Sequence, residues 1–142
     1  MPTRKKIDEK ELQERYFELQ MISNTMQEMQ ATIQQLDQQL VEIASVKGNL
    51  DSLAEQKVGS DMLVPVSNGI FVKGALKDNK ELIVNVGSSI AVKKTIPETK
   101  QILDERMQEL EGYRNSLLAE LERVAVRAKS LESEIIGMMP QE

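Results

Sequence analysis

Two stretches of this chain repeat apolar residues every seven positions, and the stretch between them does not. In the first, one heptad phase places Leu12, Leu19, Met26, Ile33 and Leu40 at one seam position, followed by Lys47 and Ala54. The other seam position takes Arg15, Ile22, Met29, Leu36, Ile43 and Leu50, then Lys57. Gln, Glu, Asp, Ser and Thr fill most places between. A 3.5-residue period held this long predicts a helix that winds about a partner helix instead of lying on a broad core. Val58-Gly59 supplies its stop. The pattern resumes at Ile96 and continues through Leu103, Leu110, Leu117, Val124, Leu131 and Met138, alternating with Lys100, Met107, Arg114, Leu121, Ala128 and Ile135. Thr95-Ile96-Pro97-Glu98 reads as a helix start, with Thr95 as cap and Glu98 at the capping-box position. Pro140 is expected to end this second helix.

The intervening residues 58–95 alternate β-branched runs with turn residues. Met62–Val66, Ile70–Leu76, Glu81–Val86 and Ile90–Lys93 read as four short strands. Ser67-Asn68-Gly69 and Gly87-Ser88-Ser89 close two consecutive hairpins, and Lys77-Asp78-Asn79-Lys80 links them. The fold class expected is α+β: an antiparallel two-helix coiled coil (residues 1–57 and 96–142) joined by two β-hairpins (58–95), the whole forming one domain. Pairing 57 beside 97 sets Leu40 near Arg114, a polar insertion that fits a register device or a long side chain reaching past the seam.

Four short strands cannot bury a sheet face by themselves, and open edges invite pairing with another chain. Leu63, Val64, Val66, Ile70, Phe71, Val72, Leu82, Val84, Val86, Ile90 and Val92 are therefore expected to close a barrel or stacked sheets between subunits; the alternative is a small monomeric sheet folded down on the helix bases. Val46 and Leu53 lie off the seam near the hairpins and point to packing beyond one partner helix. At the opposite end, Tyr16, Phe17, Met21, Val126, Ile136 and Met139 also lie off the seam. Such a cluster fits a partner-binding tip, scattered surface residues, or packing against residues 1–10 or another subunit.

Composition sharpens this. Aromatic residues make up 3% of 142 residues while Met numbers eight, so the apolar load suits narrow seams and adaptable surfaces instead of a large core. A net charge of −5 gives no phosphate-binding footprint, and Arg4-Lys5-Lys6 reads as a solvated tail. The sequence contains no Cys and no His, which removes thiolate chemistry, the commonest general base and the commonest metal ligand. No nucleotide-binding motif is present. Glu105 with Glu109, and Glu132 with Glu134, are read as solvated helix faces. No enzyme, no cofactor and no metal are expected. Without an apolar run of membrane-spanning length, a soluble cytoplasmic protein is the expectation.

Three strings in the β region add a resemblance: Asp61-Met62-Leu63-Val64-Pro65-Val66, Gly69-Ile70-Phe71-Val72-Lys73-Gly74 and Val84-Asn85-Val86-Gly87. Set between two heptad helices, they resemble the α class of the prefoldin family, in its short archaeal form. The resemblance implies a hexamer of two α and four β subunits, with the hairpins forming a double-barrel platform that carries six coiled coils. It implies a co-chaperone that captures non-native proteins at the distal tips without ATP and delivers them to a group II chaperonin, with no role for nucleic acid or membrane. Tyr16, Phe17, Met21, Ile135, Ile136, Met138 and Met139 would then be the client-contact residues. The alternative is a non-catalytic coiled-coil scaffold that binds one defined protein partner.

Overall fold

The structure is a computed structural model that describes residues 9–139. Arg4-Lys5-Lys6 and Pro140, singled out above, lie outside the described residues. Helix α1 (Glu9–Glu55) leads to strands β1 (Asp61–Ser67), β2 (Ile70–Ala75), β3 (Glu81–Gly87) and β4 (Ile90–Thr95), and helix α2 (Ile96–Met138) follows without a break. The chain divides into two compact units. One joins the residues up to Gln38 with those from Glu111 onward, and the other runs from Gln39 to Leu110.

In the first unit the two helices bury a seam at the predicted spacing. Ile33, Leu36, Leu131 and Ile135 are buried, and Leu131 is 0% exposed. Leu19, Ile22, Met26, Met29, Leu117, Leu121 and Val124 are half-buried. Ion pairs fix the antiparallel sense. Arg15 meets Glu134 at 2.9 Å, Glu18 meets Arg127 at 3.0 Å, and Asp37 pairs with Arg114. The polar residue at position 114 is thus held by a carboxylate one turn before Leu40. Its guanidinium reaches past the seam to a partner at the edge, as long cationic side chains do.

In the second unit, Leu40, Ile43 and Leu50 are half-buried, while Ile96, Thr99 and Leu110 are buried. Lys47 pairs with Asp104 and Lys100 with Asp51, so Lys at a seam position is tolerated by placing its ammonium against a carboxylate. The heptad does not persist to the end of the first periodic stretch. Helix α1 stops at Glu55, two residues before the expected boundary, and Ala54 is exposed whereas Leu53 is half-buried. Val46 is exposed, so of the two off-seam residues only Leu53 is covered.

The end of α1 has a cap that composition does not announce. The Asn79 side-chain Nδ2 donates to three carbonyls at the end of α1: Leu53 at 3.3 Å and Ala54 at 3.4 Å in its last turn, and Gln56 just past it at 2.7 Å. Terminal helix carbonyls lack partners within the helix, and here a residue of the β2–β3 connection supplies them. Asp78 Oδ1 accepts from the Lys80 N–H at 2.8 Å and shapes that connection. The start of α2 follows the expected chemistry. The Glu98 N–H donates to Thr95 Oγ1 at 3.2 Å, and that hydroxyl donates to the Glu98 carboxylate at 3.0 Å.

The hairpins form two separate two-stranded sheets, β1-β2 and β3-β4. They are copies of one another. Asp61 pairs with Ala75, Val64 with Val72 and Ser67 with Ile70; adding twenty to each number gives the second hairpin's pairs, Glu81 with Thr95, Val84 with Val92 and Gly87 with Ile90. The register breaks at the same place in both, leaving Val66 and Val86 as the bulged residues. Val64, Val66, Ile70, Val72 and Lys73 recur as Val84, Val86, Ile90, Val92 and Lys93. The turns differ. In the first, only Gly69 has a positive φ, 78°, as at the third position of a type II turn. In the second, Ser88 and Ser89 both do, at 50° and 61°, as in a type I′ turn.

Candidate functional site

Two apolar surfaces stand out. The first is the hairpin pair. Leu63, Val64, Val66, Ile70, Phe71 and Val72 of the first hairpin are all exposed, and only Gly74 in β1 and β2 is half-buried. The reason is topological: a two-stranded ribbon has no second layer, so both of its faces meet solvent. The second hairpin is partly covered within its own unit. Leu82, Val84 and Val92 are half-buried, while Val86 and Ile90 on the same hairpin are exposed. Ile83, not singled out from the sequence, is 77% exposed. Its signal was the twenty-residue repeat, in which Ile83 corresponds to Leu63.

A shallow groove runs over the first hairpin, lined by Asp61, Met62, Leu63, Lys73 and Gly74. A Cβ at position 74 would sit in van der Waals contact, 3.6 Å, with both Met62 Cγ and Val64 Cγ2.

The second surface belongs to the unit that holds the ends of both helices. Phe17 and Ile136 are each 66% exposed, and Tyr16, Met21, Val126 and Met139 are exposed as well. The Arg15–Glu134 ion pair sets the turn carrying Tyr16 and Phe17 beside the turn carrying Ile136. Two of the residues assigned to this surface do not belong to it in the single chain. Ile135 is 5% exposed and Met138 is half-buried, because both occupy heptad positions and their side chains fill the seam.

Glu134, read as solvated, is half-buried and turns one carboxylate oxygen to Arg15. Arg15 Nε and Glu134 Oε2 are 2.9 Å apart and both are removed from solvent, yet the N–H direction misses hydrogen-bond geometry. Glu134 also meets Arg127 at 3.8 Å. Glu105, Glu109 and Glu132 are exposed, as expected. On the outer face of α2, a hydrogen bond from Arg123 holds the Glu120 carboxyl below its ordinary pKa and raises that of the guanidinium. Among the described residues no group of three or more acidic side chains is arranged to hold a metal ion. No helix among them is long and apolar enough to cross a membrane.

The comparisons with known proteins agree with this layout. The family model described as "Prefoldin subunit" matches residues 22–137. The prefoldin subunit alpha of Methanobrevibacter smithii is 32% identical over 111 residues, spanning 78% of this chain and 70% of that protein. That of Thermofilum pendens is 29% identical over 118 residues, spanning 83% and 92%. Among solved structures, filamentous PFD from Methanocaldococcus jannaschii superposes with a TM-score of 0.75 at 20% identity, covering 82% of this chain and 97% of that one. With the double hairpin, the two seam helices and the family match over most of its length, the chain belongs to the prefoldin family, as an archaeal-type α-class subunit.

Proposed function

We infer that this chain works as the α-class subunit of a nucleotide-independent, cytoplasmic co-chaperone that holds non-native proteins and passes them to a group II chaperonin. Family membership makes it a non-catalytic chaperone component that assists folding through chaperonin delivery. The observation that carries the finer reading is the uncovered first hairpin, whose strand residues are exposed on both faces. Burying a side chain such as Phe71 or Ile70 is worth about 1.5–3 kcal/mol, and a ribbon with apolar residues on both faces gains this only from other chains. Prefoldin β subunits are the partners this reading assigns, two α to four β, with hairpins closing into a shared barrel.

The distal apolar residues supply the second half of the reading. Phe17 and Ile136 on adjoining turns, with Met21 one turn from Phe17 and Met139 one turn from Ile136, are exposed apolar side chains. Such a surface accepts partners of no fixed shape. Binding there needs no chemical step, in keeping with a chain devoid of His and Cys.

Native mass spectrometry of the chain alone and mixed with a β-class subunit tests the assembly. A hetero-hexamer is expected in the mixture. A stable monomer in both samples would overturn the hairpin-assembly reading. The assembled complex should also suppress aggregation of several unrelated denatured proteins without nucleotide, whereas stoichiometric binding of one folded partner would mark an adaptor instead.

A further inference from the structure

We propose that the Asn68–Gly69 turn of the first hairpin is a site of spontaneous covalent modification, at which Asn68 cyclises onto the Gly69 nitrogen and reopens as aspartate or isoaspartate. The chain has six asparagines, and Asn68 alone is followed by glycine. Asn24, Asn49 and Asn115 lie inside helices, where the backbone is held in place turn by turn. Asn79 has its amide committed to the end of α1. Asn85 has its Oδ1 engaged by the Gly87 N–H at 2.9 Å. Asn68 is exposed, and neither its amide nor the Gly69 N–H makes a hydrogen bond among the described residues. Nothing lies within 4 Å of the place a Cβ would take on Gly69, so no residue beyond its chain neighbours crowds that side of the turn. Glycine also tolerates the positive φ of 78° that the turn requires.

The step balances without any further reagent than water. The Gly69 nitrogen forms a bond to Asn68 Cγ, the Cγ–Nδ2 bond breaks, and the side-chain nitrogen leaves as ammonia with the proton that the Gly69 nitrogen gives up. Water then opens the five-membered ring. Attack at one carbonyl gives aspartate, and attack at the other gives isoaspartate, whose extra methylene enters the main chain. Either product adds a negative charge to the turn. Isoaspartate also lengthens the connection between Ser67 and Ile70, which pair across it. The second hairpin places Ser88 and Ser89 at the equivalent positions, which carry no amide and cannot react in this way.

The test is to hold the full-length chain at mildly alkaline pH with gentle warming and map its peptides by mass. The expected result is a gain of about one mass unit in the peptide carrying Asn68, with isoaspartate-specific methylation of that peptide and no change in those carrying the other five asparagines. N68S, which copies the second turn, should show neither signal. An unaltered Asn68 peptide, or modification spread evenly over all six asparagines, overturns the proposal. A consequence for assembly rests on the hairpin reading above: the aged chain should join β-class partners less completely than aged N68S. If the mass change occurs and assembly is unaffected, the consequence for assembly is overturned and the chemistry stands.

Discussion

Asn79 does the most for its size. One side-chain amide reaches three carbonyls at the end of α1 and ties the β2–β3 connection to the helix end. N79A leaves the Ala54 and Gln56 carbonyls to water, Leu53 keeping its bond from the Gln56 N–H, removes the tie, and should cost about 1–2 kcal/mol in thermal or denaturant unfolding. N79D should cost more, because a carboxylate would face carbonyl oxygens at the negative end of the helix dipole. Equal stability of the Asp variant and the wild type would show that the amide donates nothing there. This contact was not legible in the sequence. Asn79 sits in a stretch that reads only as a turn, and its partners lie more than twenty residues upstream. The Thr95–Glu98 start of α2 was legible, because a capping box is a local pattern with both members within four residues. Ile135 lies between these cases. Its heptad position placed it in the seam and its neighbourhood placed it at the tip, and the seam took it.

At the scale of elements, the helices follow the heptad closely because the pattern and the burial arise from the same seven-residue repeat. The pattern fails where a third element intervenes. Leu53 is drawn inward and Ala54 is left out at the place where α1 meets its cap. The hairpins were legible as strands and turns, and their separation into two ribbons agrees with the two consecutive hairpins expected. The twenty-residue repeat went unseen because Phe71 against Ala91, Gly74 against Lys94 and Pro65 against Asn85 dilute the likeness. The second turn bears a local cost. Serine in the left-handed region is disfavoured at both Ser88 and Ser89, whereas Asn-Gly suits a type I′ turn. The double variant S88N/S89G should therefore raise stability by about 1 kcal/mol. It should also install in the second hairpin the labile asparagine that only the first now carries. A lowered melting temperature would mean that the turn is held by contacts that outweigh backbone preference.

For the molecule as a whole, the prefoldin identity and the absence of catalytic apparatus bear on the two ends of the chain differently. The hairpins are expected to govern assembly and the distal residues to govern capture, so the two should separate by mutation. Replacing Tyr16, Phe17, Ile136 and Met139 with Ser should weaken aggregation suppression several-fold while leaving the hetero-oligomer intact. All four are exposed, so little packing is lost within the chain. Unchanged suppression would place client contact elsewhere in the assembly. Weakened suppression together with loss of the oligomer would show that these residues serve packing. The candidate surfaces were visible in the sequence as apolar residues off the heptad, because a two-helix seam has a fixed number of inner places. What the sequence did not show is that the second hairpin already hides Leu82, Val84 and Val92 while the first hides almost nothing.

The duplicated hairpin carries a consequence for fidelity. Two ribbons with the same register, the same bulge and four apolar residues repeated at matched positions offer the same backbone ladder. A neighbour that recognised only the backbone ladder would accept either one, and a subunit could then seat itself the wrong way round. Ten of the fifteen matched positions, 61–75 against 81–95, carry different residues, and discrimination falls to these. Phe71 offers a bulk that Ala91 lacks, and Lys94 places a charged stem where Gly74 leaves a groove. In an assembly built on these ribbons, correct orientation rests on those unlike pairs, while the shared valines and isoleucines set how tightly either ribbon is held.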